Sequence, residues 1–294
     1  MPELPEVTTT IRGLNKTVKN KTITGVWSDW KKTVKYPTFD SFRKRVVGKK
    51  ILSSERCGKN ILIHLSEKKT LLVHLKMTGH LMYGLYKKKG PTFRAEGSGP
   101  LRDDPYNKYV HLLFTFSNKK SLALSDARKF AKVKLFNSDE VKACDDLKNL
   151  GPDALSVHPK EFLAQLNKKL RGKIKTVLMD QSVIAGIGNI YSDEILWFVG
   201  VHPESRVGAI PKKILQEISR VSKKILAHSI TIGGDSKSDY RNIHGQRGGF
   251  QNFHRAYRQT GNPCAKKNCR GTIKRLMVGA RSAHFCDRHQ KKYA

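Results

Sequence analysis

The spacing of apolar residues changes twice along this 294-residue chain, and those changes limit its fold more than any other feature. "PELPEVTTTIRGLNKTV" sets Val7, Ile11, Leu14 and Val18 at helical spacing, behind a first turn of proline and glutamate. The period then drops to two. "KKILSSERCGKNILIHLS" and "KTLLVHLKMTGHLMYG" read as strands broken by Gly58 and Gly79. "YVHLLFTFSNKKSLALSD" reads as a hairpin with Val110, Leu112, Phe114 and Phe116 along one face, and "AKVKLF" repeats the alternation with Lys132 and Lys134 outward. Between them "GPTFRAEGSGPLRDDPYN" reads as an exposed loop. From about residue 150 the period is helical again. Phe162, Leu163, Leu166 and Leu170 share one side of a helix, and Ile214, Ile218, Val221 and Ile225 share a side of a second. The polar, glycine-rich run "GGDSKSDYRNIHGQRGGFQNF" that follows reads as a mobile loop. The expected organisation is an α+β multidomain protein. Residues 1–135 form a β-sandwich with an N-terminal helix, 136–150 a linker, 151–250 a helical domain and 251–294 a C-terminal β-hairpin.

The tail carries a metal-ligand pattern, C-x4-C-x16-C-x2-H, formed by Cys264, Cys269, Cys286 and His289. Two ligand pairs on separate turns can converge on one tetrahedral ion, and three thiolates with an imidazole suit zinc. Four protein ligands leave no open position, so the zinc is expected to be structural. His284 competes with His289 for the fourth place. The other two cysteines, Cys57 and Cys144, stand far apart, which argues against a disulfide framework.

Fifty-seven lysines and arginines face 24 acids, a formal charge of +33. A charge of that size attracts polyanions at long range, nucleic acid first and anionic membrane second. "EILWFVGV" is far short of the roughly 20 apolar residues that cross a bilayer. The acidic start is unlike the basic leader of a secreted chain. These features predict an intracellular, monomeric protein without a membrane role.

Five landmarks occur in one order: "MPELPEV", "HLKMTG", "DARKFA", "GIGNIYSDE" and the C-terminal ligand set. Together they resemble the formamidopyrimidine-DNA glycosylase and endonuclease VIII family over nearly the whole chain. The resemblance implies a β-sandwich, a helix–two-turn–helix domain and a zinc finger that act on damaged double-stranded DNA. It implies a glycosylase with abasic-site lyase activity. Once Met1 is removed, Pro2 would present a secondary amine; an α-amino group titrates near ~7.7–8.0. Such an amine can attack C1′ and form an iminium, whose charge acidifies the neighbouring sugar proton and permits strand scission. Taken alone, "PELPE" also reads as an ordinary helix start.

By the same resemblance Glu3 is the acid that assists ring opening, with Glu6 in support, and Lys59 and Arg281 bind phosphate and assist elimination. Met77, Arg128 and Phe130 match the residues that enter the duplex beside a flipped nucleotide. Arg171 and Asn189 match DNA contacts, and Asn107 stands where many members have a DNA-contacting histidine. Three departures are visible: C-x4-C with His289 instead of two C-x2-C pairs, Asn107 itself, and "DARKFA" for "DPRRFG". Leucine in "MPELPE" with Arg128 and Phe130 favours oxidised purines, 8-oxoguanine and formamidopyrimidines. The alternatives are an endonuclease VIII-like enzyme for oxidised pyrimidines and a non-catalytic zinc-containing DNA-binding protein.

Overall fold

The computed structural model describes residues 1–294. Its first elements are α1 (Leu4–Thr17), β1 (Ile23–Ser28), β2 (Val34–Tyr36), α2 (Phe39–Val46), β3 (Ile51–Cys57), β4 (Asn60–Leu65), β5 (Lys69–His74) and β6 (His80–Gly84). There follow β7 (Tyr86–Lys89), β8 (Thr92–Ala95), α3 (Pro100–Asp103), β9 (Val110–Phe116), β10 (Ser121–Ser125) and β11 (Lys132–Asn137). The remainder comprises α4 (Pro159–Asn167), α5 (Ile174–Met179), α6 (Asn189–Val199), α7 (Lys212–Thr231), β12 (Ile273–Val278) and β13 (Arg281–Cys286). These elements fall into two units, one of residues 1–148 with 232–251, the other of 149–231 with 252–294.

In the first unit two sheets, ordered β1-β9-β10-β6 and β2-β11-β5-β4-β3, share one core. Inward residues of both sheets meet there: Ile61, Ile63, Leu71 and Val73 from one, Leu112, Phe114, Phe116, Leu122 and Leu124 from the other. Helix α1 adds Val7, Ile11 and Leu14 to that core, each burial stabilising by roughly 1.5–3 kcal/mol. Asn15 locks the helix to β3, its amide donating to the Ser54 carbonyl at 2.8 Å and accepting the Ser54 N–H at 2.7 Å.

Four expectations need correction. Val110 leaves the face shared by Leu112, Phe114 and Phe116, because the β9–β10 register slips between Leu124 and Ser125. A bulge of one residue turns every side chain beyond it to the other face. Lys132 and Lys134 point away from the core but not into water, since Asp146 covers them, 2.8 Å from Lys134. "GPTFRAEGSG" is not all loop; Thr92–Ala95 pairs with Tyr86–Lys89. Finally, α4 ends at Asn167, and Leu170 beyond it is exposed.

The second unit is helical, with α6 packed against α5, α7 and β13. Helix α6 opens after Gly188 and ends at Gly200, whose φ of 79° is the left-handed cap that glycine takes most readily. Buried Glu194 holds the chain that leads to the tail, accepting the N–H groups of Arg255, Ala256 and Tyr257 at 2.8–3.0 Å. The antiparallel β12–β13 hairpin closes the chain.

Candidate functional site

Pro2 and Glu3 lie at the mouth of α1, both buried. Glu3 is the N-cap, and its N–H donates to Glu6 Oε2 at 2.7 Å. The other Glu6 oxygen accepts the Asp235 N–H at 2.7 Å, and the Glu6 carbonyl accepts the Tyr240 hydroxyl at 3.0 Å. Glu6 thus ties the N-terminal acid to segment 232–251. That segment is irregular backbone, as expected, but it is firmly seated: Ile243 packs on Gly13, leaving no space for a Cβ there. The capping geometry and a reactive-terminus role are compatible, since the same hydrogen bonds start the helix and fix Glu3.

Lys59 follows Gly58 (φ 57°) in the two-residue turn between β3 and β4, and is buried. Helix α1 packs on both of these strands. Helix α1, which Pro2 and Glu3 lead into, and the hairpin that carries Lys59 are therefore packed together. His74 pairs with Asn60 across β4–β5 and lies among Lys59, Lys76 and Lys132. Burial, then those cations, lowers its imidazole from 6.5 to about 3. A neutral ring can accept, and Nδ1 takes the Lys76 N–H at 3.0 Å. Sequence reasoning passed over His74; its position three residues before Met77 in "HLKM" was the available signal.

Met77 occupies the turn between β5 and β6, and Arg128 and Phe130 the turn between β10 and β11. The structure joins these turns. Asp126 accepts from the Thr78 hydroxyl and from the Ala131 N–H, and the Arg128 N–H reaches Thr78 Oγ1 at 3.2 Å. Gly79 is required here, because a Cβ would lie 2.4 Å from the Leu75 carbonyl. Phe130 is 49% exposed, an unusual position for a large apolar ring, and the Arg128 guanidinium stacks 4.6 Å from it. Asp126 and Thr78, which hold this arrangement, were not singled out from sequence although both lie inside the quoted motifs.

Asn107 is placed differently from its expected role. Its side chain is buried, accepting from His80 Nε2 at 2.9 Å and donating to the carbonyls of Pro100 and Gly245 at 2.8 and 3.1 Å. An amide with both ends engaged inside the fold has no free face for a phosphate. Its work is to fasten segment 232–251.

In the second unit Arg171 is exposed between α4 and α5, Asn189 begins α6, and Arg281 is exposed at the start of β13. The ligand atoms of Cys264, Cys269, Cys286 and His289 all lie within 4.8 Å of one another. Zinc–sulfur bonds of about 2.3 Å in a tetrahedron put sulfurs roughly 3.8 Å apart; Cys269 and Cys286 Sγ are 3.6 Å apart. His289 Nε2 bonds the Trp197 carbonyl at 3.0 Å, which turns Nδ1 toward Cys264 Sγ at 3.3 Å. A ring nitrogen held by a carbonyl on its far side is the usual support of a metal-ligating histidine. The residues fit a metal ion. His284 instead donates to Asp193 Oδ2, from Nδ1 at 2.8 Å and from its backbone N–H at 3.1 Å.

The family model for the formamidopyrimidine-DNA glycosylase N-terminal domain matches residues 1–133, and that for the formamidopyrimidine-DNA glycosylase H2TH domain matches residues 150–241. The formamidopyrimidine-DNA glycosylase of Bacillus subtilis is 35% identical over 298 residues, spanning 99% of this chain and all of the relative. That of Pelotomaculum thermopropionicum is 34% identical over 292 residues, spanning 99% of both. Among solved structures, a complex of Lactococcus lactis Fpg with abasic-site DNA superposes with a TM-score of 0.85 at 30% identity, covering 99% of this chain and all of the other. The same enzyme with N7-benzyl-Fapy-dG DNA gives 0.84 at 30% identity and the same coverage.

Proposed function

The chain belongs to the formamidopyrimidine-DNA glycosylase family and is a DNA glycosylase of base excision repair, and we propose the division of labour by which its residues excise an oxidised purine and cut the strand. With Met1 removed, the Pro2 nitrogen attacks C1′ and the damaged base departs. Glu3 supplies the proton for ring opening, held by the Glu6 bridge that fixes its backbone. The iminium acidifies the C2′ proton, and β-elimination expels the 3′ phosphate oxygen; δ-elimination then releases the 5′ side. Lys59 and Arg281 neutralise the phosphates involved. Neutral His74 beside Lys59, with Nδ1 taken by the Lys76 N–H, carries its proton on Nε2 and offers a donor there without adding charge.

An enzyme acting on C1′ must take the nucleotide out of the stack at a cost of a few kcal/mol. Met77, Arg128 and Phe130, on turns joined through Asp126, are the wedge that offsets that cost. Arg171 and Asn189 hold the backbone, which sets register without reading sequence. Asn107 serves the fold and not the DNA. The metal is zinc, held by Cys264, Cys269, Cys286 and His289, and it orders the hairpin that presents Arg281. The functional domains assigned are 1–135, catalytic, and 151–250, helix–two-turn–helix, joined by 136–150 and followed by a 251–294 zinc finger, although segment 232–251 packs in the same compact unit as residues 1–148. The substrate partner is damaged duplex DNA, bound by a monomer inside the cell.

The observation that carries this reading is the pairing of a buried Pro2–Glu3 start with a helix clamped to the Lys59 hairpin. Borohydride added during turnover of an 8-oxoguanine duplex is expected to leave the DNA bonded to the first peptide. A Pro2→Gly variant should give far less adduct. Adduct on any other peptide would overturn the mechanism, and faster turnover of thymine glycol than of 8-oxoguanine would overturn the lesion class.

A further inference from the structure

The β1-β9-β10-β6 sheet has apolar residues on both faces. Leu112, Phe114, Leu122 and Leu124 face the main core, so Leu113 and Ala123 face the other way. With Val110 they form a second small cluster, and the β7–β8 hairpin covers it through Tyr86 and Phe93. Phe93 meets Trp27 edge-on, centroids 4.8 Å apart. Two strands of four residues are too short to stand alone; this apolar seat orders them.

The alternation that turns Tyr86 and Phe93 inward sends Lys87, Lys89 and Arg94 to the opposite face, where all three are exposed. Lys87 is directly across from Arg94. Like charges so placed destabilise a strand pair. Little on the surface offsets them: Glu96 approaches Lys87 at 3.7 Å, and Arg94 donates to the neutral Lys108 carbonyl at 3.2 Å. Lys88, paired with Phe93, lies on the other face of the hairpin. A rigid hairpin that carries such a cost is suited to an anionic partner with regularly spaced charge. Lys87 and Lys89 are about 6.7 Å apart along the strand, far enough apart to engage separate phosphates of one polyanion.

We propose that Lys87, Lys89 and Arg94 form a phosphate-binding ridge that holds duplex DNA without regard to sequence or damage. The ridge is separate from the residues assigned to excision, and it rests on the DNA reading above.

The test is a Lys87→Thr/Lys89→Thr/Arg94→Thr variant. Threonine suits a strand and removes the opposed charges, so the melting temperature should hold or rise. Affinity for undamaged duplex should fall, and the slope of log affinity against log salt should shrink by roughly 2–3, at about 0.9 per phosphate released. A control with Lys16, Lys19 and Lys44 replaced by glutamine removes equal charge elsewhere and should keep the slope. The excision rate at saturating enzyme on a lesion duplex should match the parent. Should the triple variant prove unfolded, Lys89→Thr alone is expected to lower the slope by about one. An unchanged slope, or an equal drop in the control, overturns the ridge. Failure of the parent protein to excise at all would instead undermine the activity assignment, so the two results are distinct.

Discussion

His74 shows how one side chain is tuned by its neighbours and what that costs. A histidine lowered from 6.5 to about 3 in the fold binds fewer protons folded than unfolded. Its contribution is complete above pH 6.5 and is lost as the pH falls toward 3. Asp146 acts in the same direction further down. Burial pushes its carboxyl up, but hydrogen bonds and charge from Lys132 and Lys134 outweigh that and leave it below 3.8. Its contribution is therefore lost only as the pH drops below that value. We expect urea stability to decline steadily from pH 6.5 downward, and His74→Gln to flatten the upper part of the decline while leaving the lowest part. Identical profiles for parent and variant would mean that the imidazole is charged in the fold. Neutrality matters for function as well, because a protonated ring would repel Lys59 and lose the Lys76 N–H bond that shapes the turn before Met77.

At the scale of elements, the strands and helices were legible because their apolar residues keep a period, and the metal hairpin because its ligands are close in sequence. What fastens the elements was not legible. Glu6 and Asp235 are joined across the chain, as are Asp126 and Thr78, and Glu194 with the amides of residues 255–257. In each case a carboxylate binds backbone or hydroxyl donors remote in sequence, and no local pattern encodes such a pair. Asn107 illustrates the same point: its position along the chain suggests DNA, whereas its partners, Gly245 above all, arrive from far away. The choice between His284 and His289 also needed distances. It yields a test. His289→Ala should release the metal and His284→Ala should retain it, measured by metal content of the purified proteins. Release should also change the emission of Trp197, whose ring lies edge-on to His289 at 5.3 Å. Cys286→Ser removes one of the four ligands and should disorder the hairpin and weaken DNA binding, the proposed structural zinc being worth roughly 10–16 kcal/mol in isolated fingers. Full metal content in the His289 variant would refute the ligand set.

For the whole molecule, the charge balance is more lopsided at the surface than the composition suggests. Six of the 24 acids are buried, Glu3, Glu6, Asp126, Asp193, Glu194 and Asp235, against three of the 57 bases, Lys59, Lys175 and Arg241. Folding thus withdraws proportionally more negative charge than positive, and the exposed cations repel one another. Added salt screens that repulsion, with a Debye length near 10 Å at 0.1 M. The same salt weakens any complex that depends on counterion release, by roughly 10³–10⁵ between 50 and 200 mM for six to ten phosphate contacts. The two properties should therefore move in opposite directions: over that range the melting temperature of the free protein rises while affinity for duplex DNA falls. Calorimetry and equilibrium binding on one preparation measure both. A melting temperature that fell with salt would show that the surface cations are already neutralised within the fold, leaving no surplus to drive the protein onto DNA.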